Sequence, residues 1–106
     1  MKFLFDSKGR HLANFVNGQL HGPSGRNIGH YLGNHLIFID VRGHYLGEIV
    51  NDNRLLYNRQ SPHLNTNFGI YGNYGNVDNY GRPGRYSVIS IPGGFQDIHA
   101  DWLSAA

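Results

Sequence analysis

The sequence contains no cysteine, which excludes both disulfide bonds and cysteine-ligated metal sites. Charged residues make up only 15% of its 106 residues, below the quarter that is usual in globular domains. Long hydrophobic runs are also missing: Phe3-Leu4-Phe5 is too short for the core of a signal peptide, and Asp6 interrupts it. We therefore expect a cytoplasmic protein without a membrane partner.

Positive charge is sparse and scattered along the chain. The formal net charge is +2, and Lys2 and Lys8 are the only lysines. The chain contains no run of Lys and Arg, so the sequence does not predict a basic tail that binds nucleic acid. What the chain has in quantity is glycine, with 15 residues, beside many asparagines. This composition is typical of closely spaced tight turns.

A repeat accounts for much of the sequence. Residues 3–17 match residues 37–51, with Asp, Gly, Leu, Val and Asn at corresponding places. Related copies lie at 24–33 and, more weakly, at 68–75. Repetition at a fixed spacing indicates a repeated structural unit.

Each copy predicts a β-hairpin whose turn ends in glycine. In the first copy Asp6 precedes Gly9 by three residues, so that Asp can cap the turn and Gly can adopt positive φ. We expect positive φ at Gly9, Gly25 and Gly43, and strands that begin within about three residues after each. Asn17-Gly18 is a further two-residue hairpin signal.

The second half is less regular. Residues 55–57 and 87–91 are rich in Leu, Ile, Val and Tyr and predict strands, and Asp97 predicts the cap of a short helix that ends near Leu103. The predicted fold class is all-β, with repeated β-hairpins around a pseudo-symmetry axis and a short C-terminal helix. We expect one β-hairpin-repeat domain over residues 1–106.

Polar residues recur in the middle of the predicted strands. In the first strand the alternation places Leu12 and Val16 on the same face as a polar residue, while the opposite face carries Ala13 and Phe15. The equivalent polar positions are Asn14, His30, Glu48 and Asn73. Two interpretations remain open: the four side chains converge near the pseudo-axis as a ligand-binding site, or they face solvent.

Aromatic residues alternate with arginines in two later segments. These residues are Tyr57, Arg59, Tyr80, Arg82, Arg85 and Tyr86. Aromatic stacking combined with arginine contacts to phosphate is how many β surfaces bind single-stranded nucleic acid. The simpler interpretation is a surface loop with tyrosines at its base, and it is preferred.

Catalytic and metal-binding patterns are weak. The seven histidines are scattered and form no His-Glu-x-x-His motif, and no serine lies in a Gly-x-Ser-x-Gly motif. We therefore predict no catalytic residues, no metal ligands and no cofactor, and a small hydrolase-type enzyme is the least favoured function.

The hairpin units, each with a Gly-x-x-(Leu/Ile)-(Gly/Ala) entry into its strand, resemble the bacterial and phage domain called the 4-fold β-flower. The resemblance covers Phe3 to about Ile98 and includes the ending 92–98. It implies a pseudo-symmetric β architecture and brings no known catalytic residues. Residues 15–25 are also similar to a MORN hairpin repeat, although later units do not keep its spacing.

These observations favour a non-catalytic binding or assembly module. They do not identify its partner, and another protein and a second copy of the chain both stay open. The alternative is a module that binds a small ligand or single-stranded nucleic acid through its Tyr/Arg loops.

Overall fold

Eight strands form one sheet in the computed structural model, which describes residues 1–104 of the chain. The elements are β1 (Lys2–Phe5), β2 (His11–Val16), β3 (Gln19–His21), β4 (Asn27–Leu32), β5 (Ile37–Asp40), β6 (Tyr45–Val50), β7 (Arg54–Asn58), β8 (Phe95–Asp97) and α1 (Ala100–Ser104). Consecutive strands pair antiparallel, and β1 also pairs in parallel with β7. The first seven strands therefore close into a barrel, and β8 is an extra strand on β7. The fold is nearly all β, as predicted.

The predicted glycine turns are confirmed. Gly9, Gly25 and Gly43 have φ of 82°, 99° and 91°, and β2, β4 and β6 each begin two residues later. Oδ1 of Asp6 and Oδ1 of Asp40 each accept two backbone N–H groups of their own turn at 2.9 Å. Because these turns join β1 to β2, β3 to β4 and β5 to β6, they lie at the same end of the barrel.

A β-bulge follows each of these three turns. The register of the strand pairs shifts so that Leu12, Ile28 and Leu46 are each an extra residue with no partner in the register. A bulge re-aims its side chain, and all three side chains contribute to or pack against the main core. The expectation that Leu12 shares a face with Asn14 is therefore wrong, since the bulge interrupts the alternation.

The face with alternating small and bulky residues lines the barrel interior. The ring centroid of Phe15 on β2 lies 5.3 Å from those of Tyr31 on β4 and Phe38 on β5. Side chains of strands that are not neighbours in the sheet therefore meet across the barrel interior. At Gly47 a Cβ would come within 2.7 Å of the Leu56 carbonyl oxygen, which explains the small residue there.

Residues 59–94, which we call the strap, contain no strand or helix and run along the turn end of the barrel. Three strap residues spaced nine apart each donate a backbone N–H to a turn glycine carbonyl: Phe68 to Gly43 (3.0 Å), Val77 to Gly25 (2.8 Å) and Tyr86 to Gly9 (2.9 Å). The predicted hairpin at 68–75 and the predicted strand at 87–91 are therefore wrong. The strap bonds to the turns instead of pairing with itself.

The C-terminal segment closes the same end of the barrel. Ile98 and Leu103 belong to the main core cluster. Asp97 does not cap α1 as predicted, because it lies in β8 and its carboxylate accepts the N–H and the O–H of Ser7 at 2.8 and 2.6 Å. Among residues 1–104, no helix has the length and apolar character needed to cross a membrane.

Candidate functional site

The four polar positions predicted as a site do not converge. Asn14, His30 and Glu48 do lie within β2, β4 and β6, but alternation with the inward-facing residues places them on the outer face of the barrel. Asn14 and His30 are nevertheless buried on that face, so they do not face solvent either. Asn73 lies on the strap and not in a strand. The expected convergence near the axis is wrong, because the opposite face of each strand turns inward.

The outward polar residues each have a separate hydrogen-bond partner. Nε2 of His30 contacts the carbonyl oxygen of Gly72 at 2.8 Å, and its Nδ1 contacts the side-chain oxygen of Gln19. The phenol of Tyr45 donates to Glu48 at 2.7 Å. The His30 contacts join β4 to β3 and to the strap, whereas the bond between Tyr45 and Glu48 lies within β6. A ligand-binding role for the four residues stays a prediction.

Asn73 instead belongs to a series of turns in the strap. The side-chain oxygens of Asn67, Asn73 and Asn79 each accept the N–H of the glycine two residues later, at 2.8, 2.7 and 2.8 Å. An Asn-aromatic-Gly triplet therefore recurs every six residues. This six-residue period is the one feature of the sequence that could have indicated the regular turns of the strap, and it was not used to predict them.

The structure divides the six residues predicted to bind nucleic acid. Tyr57 packs between the rings of Tyr45 and Trp102, at centroid distances of 5.2 and 5.3 Å. Arg59 comes directly after β7, apart in the sequence from the residues of the second segment. The residues of the second segment lie together on the strap: Tyr80, Arg82, Arg85 and Tyr86. Two residues of this segment are partly exposed to solvent, Tyr80 by 43% and Tyr86 by 50% of their surface.

A groove follows both sides of residues 83–85, and we call it the rim groove. On one side a cavity of about 350 Å³ is lined by Gly9, Arg10, His11, Arg82 and residues 83–85. On the other side a cavity of about 480 Å³ is lined by Lys2, Phe3, Phe5, Asp52, Asn53, Tyr86 and the same three residues. Arg10 was not predicted to line this groove, because Arg10 lies more than seventy residues before the strap arginines in the sequence.

The strap arginines are held by carbonyl groups. The guanidinium of Arg82 donates to the carbonyl of His11, and Nε of Arg85 donates to the carbonyl of Lys8, both at 3.3 Å. Carbonyl contacts orient a guanidinium without neutralising its charge. Arg10 differs, because it pairs with the Asp6 carboxylate at 2.8 Å.

Tyr86 anchors the strap beside this groove. Its ring stacks on Phe5 with a centroid distance of 5.0 Å, and the guanidinium carbon of Arg54 lies 4.9 Å from the ring centroid. Arg54 also donates to the carbonyl of Asp6 and to the hydroxyl of Ser87, at 3.0 and 2.9 Å. The groove wall is therefore preorganised by contacts to β1 and β7.

A second cavity, the mouth pocket, opens at the same end of the barrel. Its volume is about 320 Å³, and its lining consists of His11, Leu12, Gly22, Pro23, Ser24, Arg26, Ile28, Arg82 and Leu103. The bulge residues Leu12 and Ile28 supply its apolar wall together with Leu103 of α1. Arg82 and His11 line both the mouth pocket and the rim groove.

His11 is the buried polar residue between the two cavities, with only 8% of its surface exposed. Its Nε2 contacts Oδ1 of Asn14 at 2.6 Å, while Nδ1 of His11 and Nδ2 of Asn14 are buried without a hydrogen-bond partner among the described residues. Burial lowers the pKa of His11, the bond to Asn14 partly offsets this, and the charge of Arg82 lowers the pKa further.

Residues 1–104 contain no group of three or more His, Cys, Asp or Glu side chains close enough to hold a metal ion. Comparison with protein-family models, curated proteins and solved structures finds no match for this chain.

Proposed function

We propose that this chain is a non-catalytic binding module and that single-stranded nucleic acid binds in its rim groove. The observation that carries the proposal is the convergence of Arg10, Arg82 and Arg85 on one open cavity. Arginine contacts phosphate oxygens with several donors at once, and a strand's negative charge attracts Arg82 and Arg85 most strongly, since Arg10 already pairs with Asp6.

Aromatic residues next to these arginines support the same ligand class. Tyr80, two residues before Arg82 although it lines neither cavity of the groove, is 43% exposed, and Phe3 lines the neighbouring cavity. Tyr86 lines that cavity too, but its ring already packs against Phe5 and Arg54. Exposed rings beside a basic groove suit bases that stack while their phosphates contact arginines. We also infer a relationship to the 4-fold β-flower, which the repeated turns at Gly9, Gly25 and Gly43 support.

The test is fluorescence anisotropy with a labelled single-stranded oligonucleotide of about twelve nucleotides, which spans one such site. If Arg82 and Arg85 contact phosphates, log K should fall with log salt concentration with a slope of about −1.4, or roughly 7-fold between about 50 and 200 mM salt. Arg85→Gln should reduce the slope by about 0.7. Tyr80→Ala should weaken binding and leave the slope unchanged.

Arg42→Gln is the matched control, because Arg42 is an exposed arginine on the β5–β6 turn and lines neither cavity of the groove. It should leave both the affinity and the slope unchanged. Undetectable binding at low salt, or equal effects of Arg42→Gln and Arg85→Gln, would refute the proposal.

Self-association is the second candidate function. Val88 and Ile91 of the strap are 73% and 42% exposed, in a segment that belongs to no strand. Sedimentation velocity of the free protein at several concentrations tests it, and a constant monomer mass would refute it.

A further inference from the structure

We propose that the mouth pocket binds a small carboxylic acid with an aliphatic body, the carboxylate on Arg82 and the body on Leu12, Ile28 and Leu103. The proposal uses a different cavity and a different ligand from the rim groove. The two cavities share Arg82 and His11, so Arg85, which lines only the rim groove, is used below to test the two proposals separately.

The pocket has the composition of a small-ligand site. Its volume of about 320 Å³ lies at the low end of the range of about 300–1,000 Å³ for such sites, which are mostly apolar with a few placed polar groups. Three aliphatic side chains supply the apolar wall, and none of its nine lining residues is acidic. A ligand with one anionic end and a short hydrocarbon chain matches this distribution.

The pocket is also built into the fold. Leu12 and Ile28 reach it because the repeated bulges re-aim them toward the barrel mouth. Arg82 is placed by its 3.3 Å hydrogen bond to the His11 carbonyl. Leu103 arrives from α1 at the far end of the chain, so that distant parts of the sequence form one wall.

His11 provides the second observation that points to a ligand. It is more than nine-tenths buried, it lines the pocket, and its Nδ1 lacks a hydrogen-bond partner among the described residues. A carboxylate placed beside this ring favours the protonated imidazole. Ligand binding should therefore raise the pKa of His11 from its lowered value.

The experiment is an NMR titration with three probes at matched ionic strength: hexanoate, hexan-1-ol and acetate. Hexanoate should give saturable shifts at the amides and methyls of Leu12, Ile28 and Leu103, and it should move the His11 titration to higher pH. Hexan-1-ol lacks the charge and should bind about tenfold more weakly, as expected for loss of a charge-assisted bond. Acetate lacks the hydrocarbon body and should give no saturable shift.

Two variants locate the site. Arg82→Gln should weaken hexanoate about tenfold and leave hexan-1-ol nearly unchanged. Ser24→Tyr, at an exposed turn position that lines the pocket, should block both probes. Arg42→Tyr is the matched control, because it places the same side chain at the equivalent position of the β5–β6 turn, away from the pocket.

Three results would overturn the proposal. These are equal affinity for hexanoate and hexan-1-ol, unchanged binding in Ser24→Tyr, or no saturable shift with any probe. Arg85→Gln separates this site from the rim groove, since Arg85 does not line the mouth pocket. It should change oligonucleotide binding and leave hexanoate binding unchanged.

Discussion

Replacing Gly9 with alanine tests whether the strap holds the turn end of the barrel together. At this position a Cβ would lie 2.6 Å from the carbonyl carbon of Tyr86 and still closer to its oxygen. Because both are backbone atoms, a side-chain rotation cannot relieve the overlap. The strap must move away from the β1–β2 turn.

Gly18→Ala is the matched control for this substitution. Gly18 and Gly9 have nearly the same φ, 78° and 82°, but a Cβ at Gly18 would meet nothing within 4 Å. The control therefore isolates the cost of a left-handed backbone for alanine, about 1–2 kcal/mol. The difference between the two variants reports the contact with the strap.

The expected difference follows from the contacts of Tyr86. Displacing the strap breaks its N–H bond to the Gly9 carbonyl, worth about 0.5–1.5 kcal/mol, and its ring contact with Phe5, worth about 0.5–1.5 kcal/mol. Gly9→Ala should therefore lower the free energy of unfolding by about 2–5 kcal/mol in total, and by about 1–3 kcal/mol more than the control.

Urea denaturation gives the two free energies, and hydrogen exchange of the Tyr86 amide shows whether the strap has moved. Faster exchange of this amide is expected in Gly9→Ala and not in Gly18→Ala. Equal losses in the two variants, with the Tyr86 amide still protected, would refute the reasoning.

Two further predictions concern buried ionisable groups. Burial lowers the pKa of His11 in the folded protein below its ordinary value of 6.5, so the unfolded chain takes up the proton more readily and stability should decline as the pH falls below about 6.5. Urea denaturation at several pH values should show a smaller decline for His11→Gln, and equal declines would contradict the assignment. Tyr45→Phe should cost about 1–3 kcal/mol in urea denaturation, because the Tyr45 hydroxyl donates to Glu48 and accepts the N–H of Asn58; a cost near zero would show that water replaces it.

The contact with Glu48 also affects the protonation of the Tyr45 hydroxyl. Burial and the neighbouring carboxylate both raise the pKa of Tyr45 above its usual value. The phenol therefore stays protonated and keeps donating to Glu48, which explains why this partly buried glutamate is tolerated in β6.

Much of the barrel could be predicted because its signals are local. The turn glycines, preceded by Asp in the first and third turns, predicted where β2, β4 and β6 begin, and residues 55–57 correctly predicted β7. Turn geometry depends on a few neighbouring residues, so their identities carry the information.

The candidate site was predicted only in part. Arg82, Arg85 and Tyr86 were predicted to lie together, and they do line the rim groove. Arg10 and His11 were missed, because nothing in the spacing of residues 10–11 and 82–86 indicates that they meet. For Asn14 and His30 the sequence left two interpretations open, convergence near the axis or exposure to solvent, because alternation alone cannot tell the inner face of a barrel from the outer one.

The sequence by itself determined the hairpin units and the glycine turns, whereas the strand face that turns inward was settled by the closed barrel. Tertiary structure alone decided the closure of β1 on β7, the path of the strap and the cavities at the barrel mouth. The physical reason is that the strap binds the turns through backbone N–H and carbonyl groups, which every residue other than proline supplies equally. Side-chain identity therefore leaves little trace of that pairing, whereas positive φ at Gly9, Gly25 and Gly43 requires glycine and is visible in the sequence.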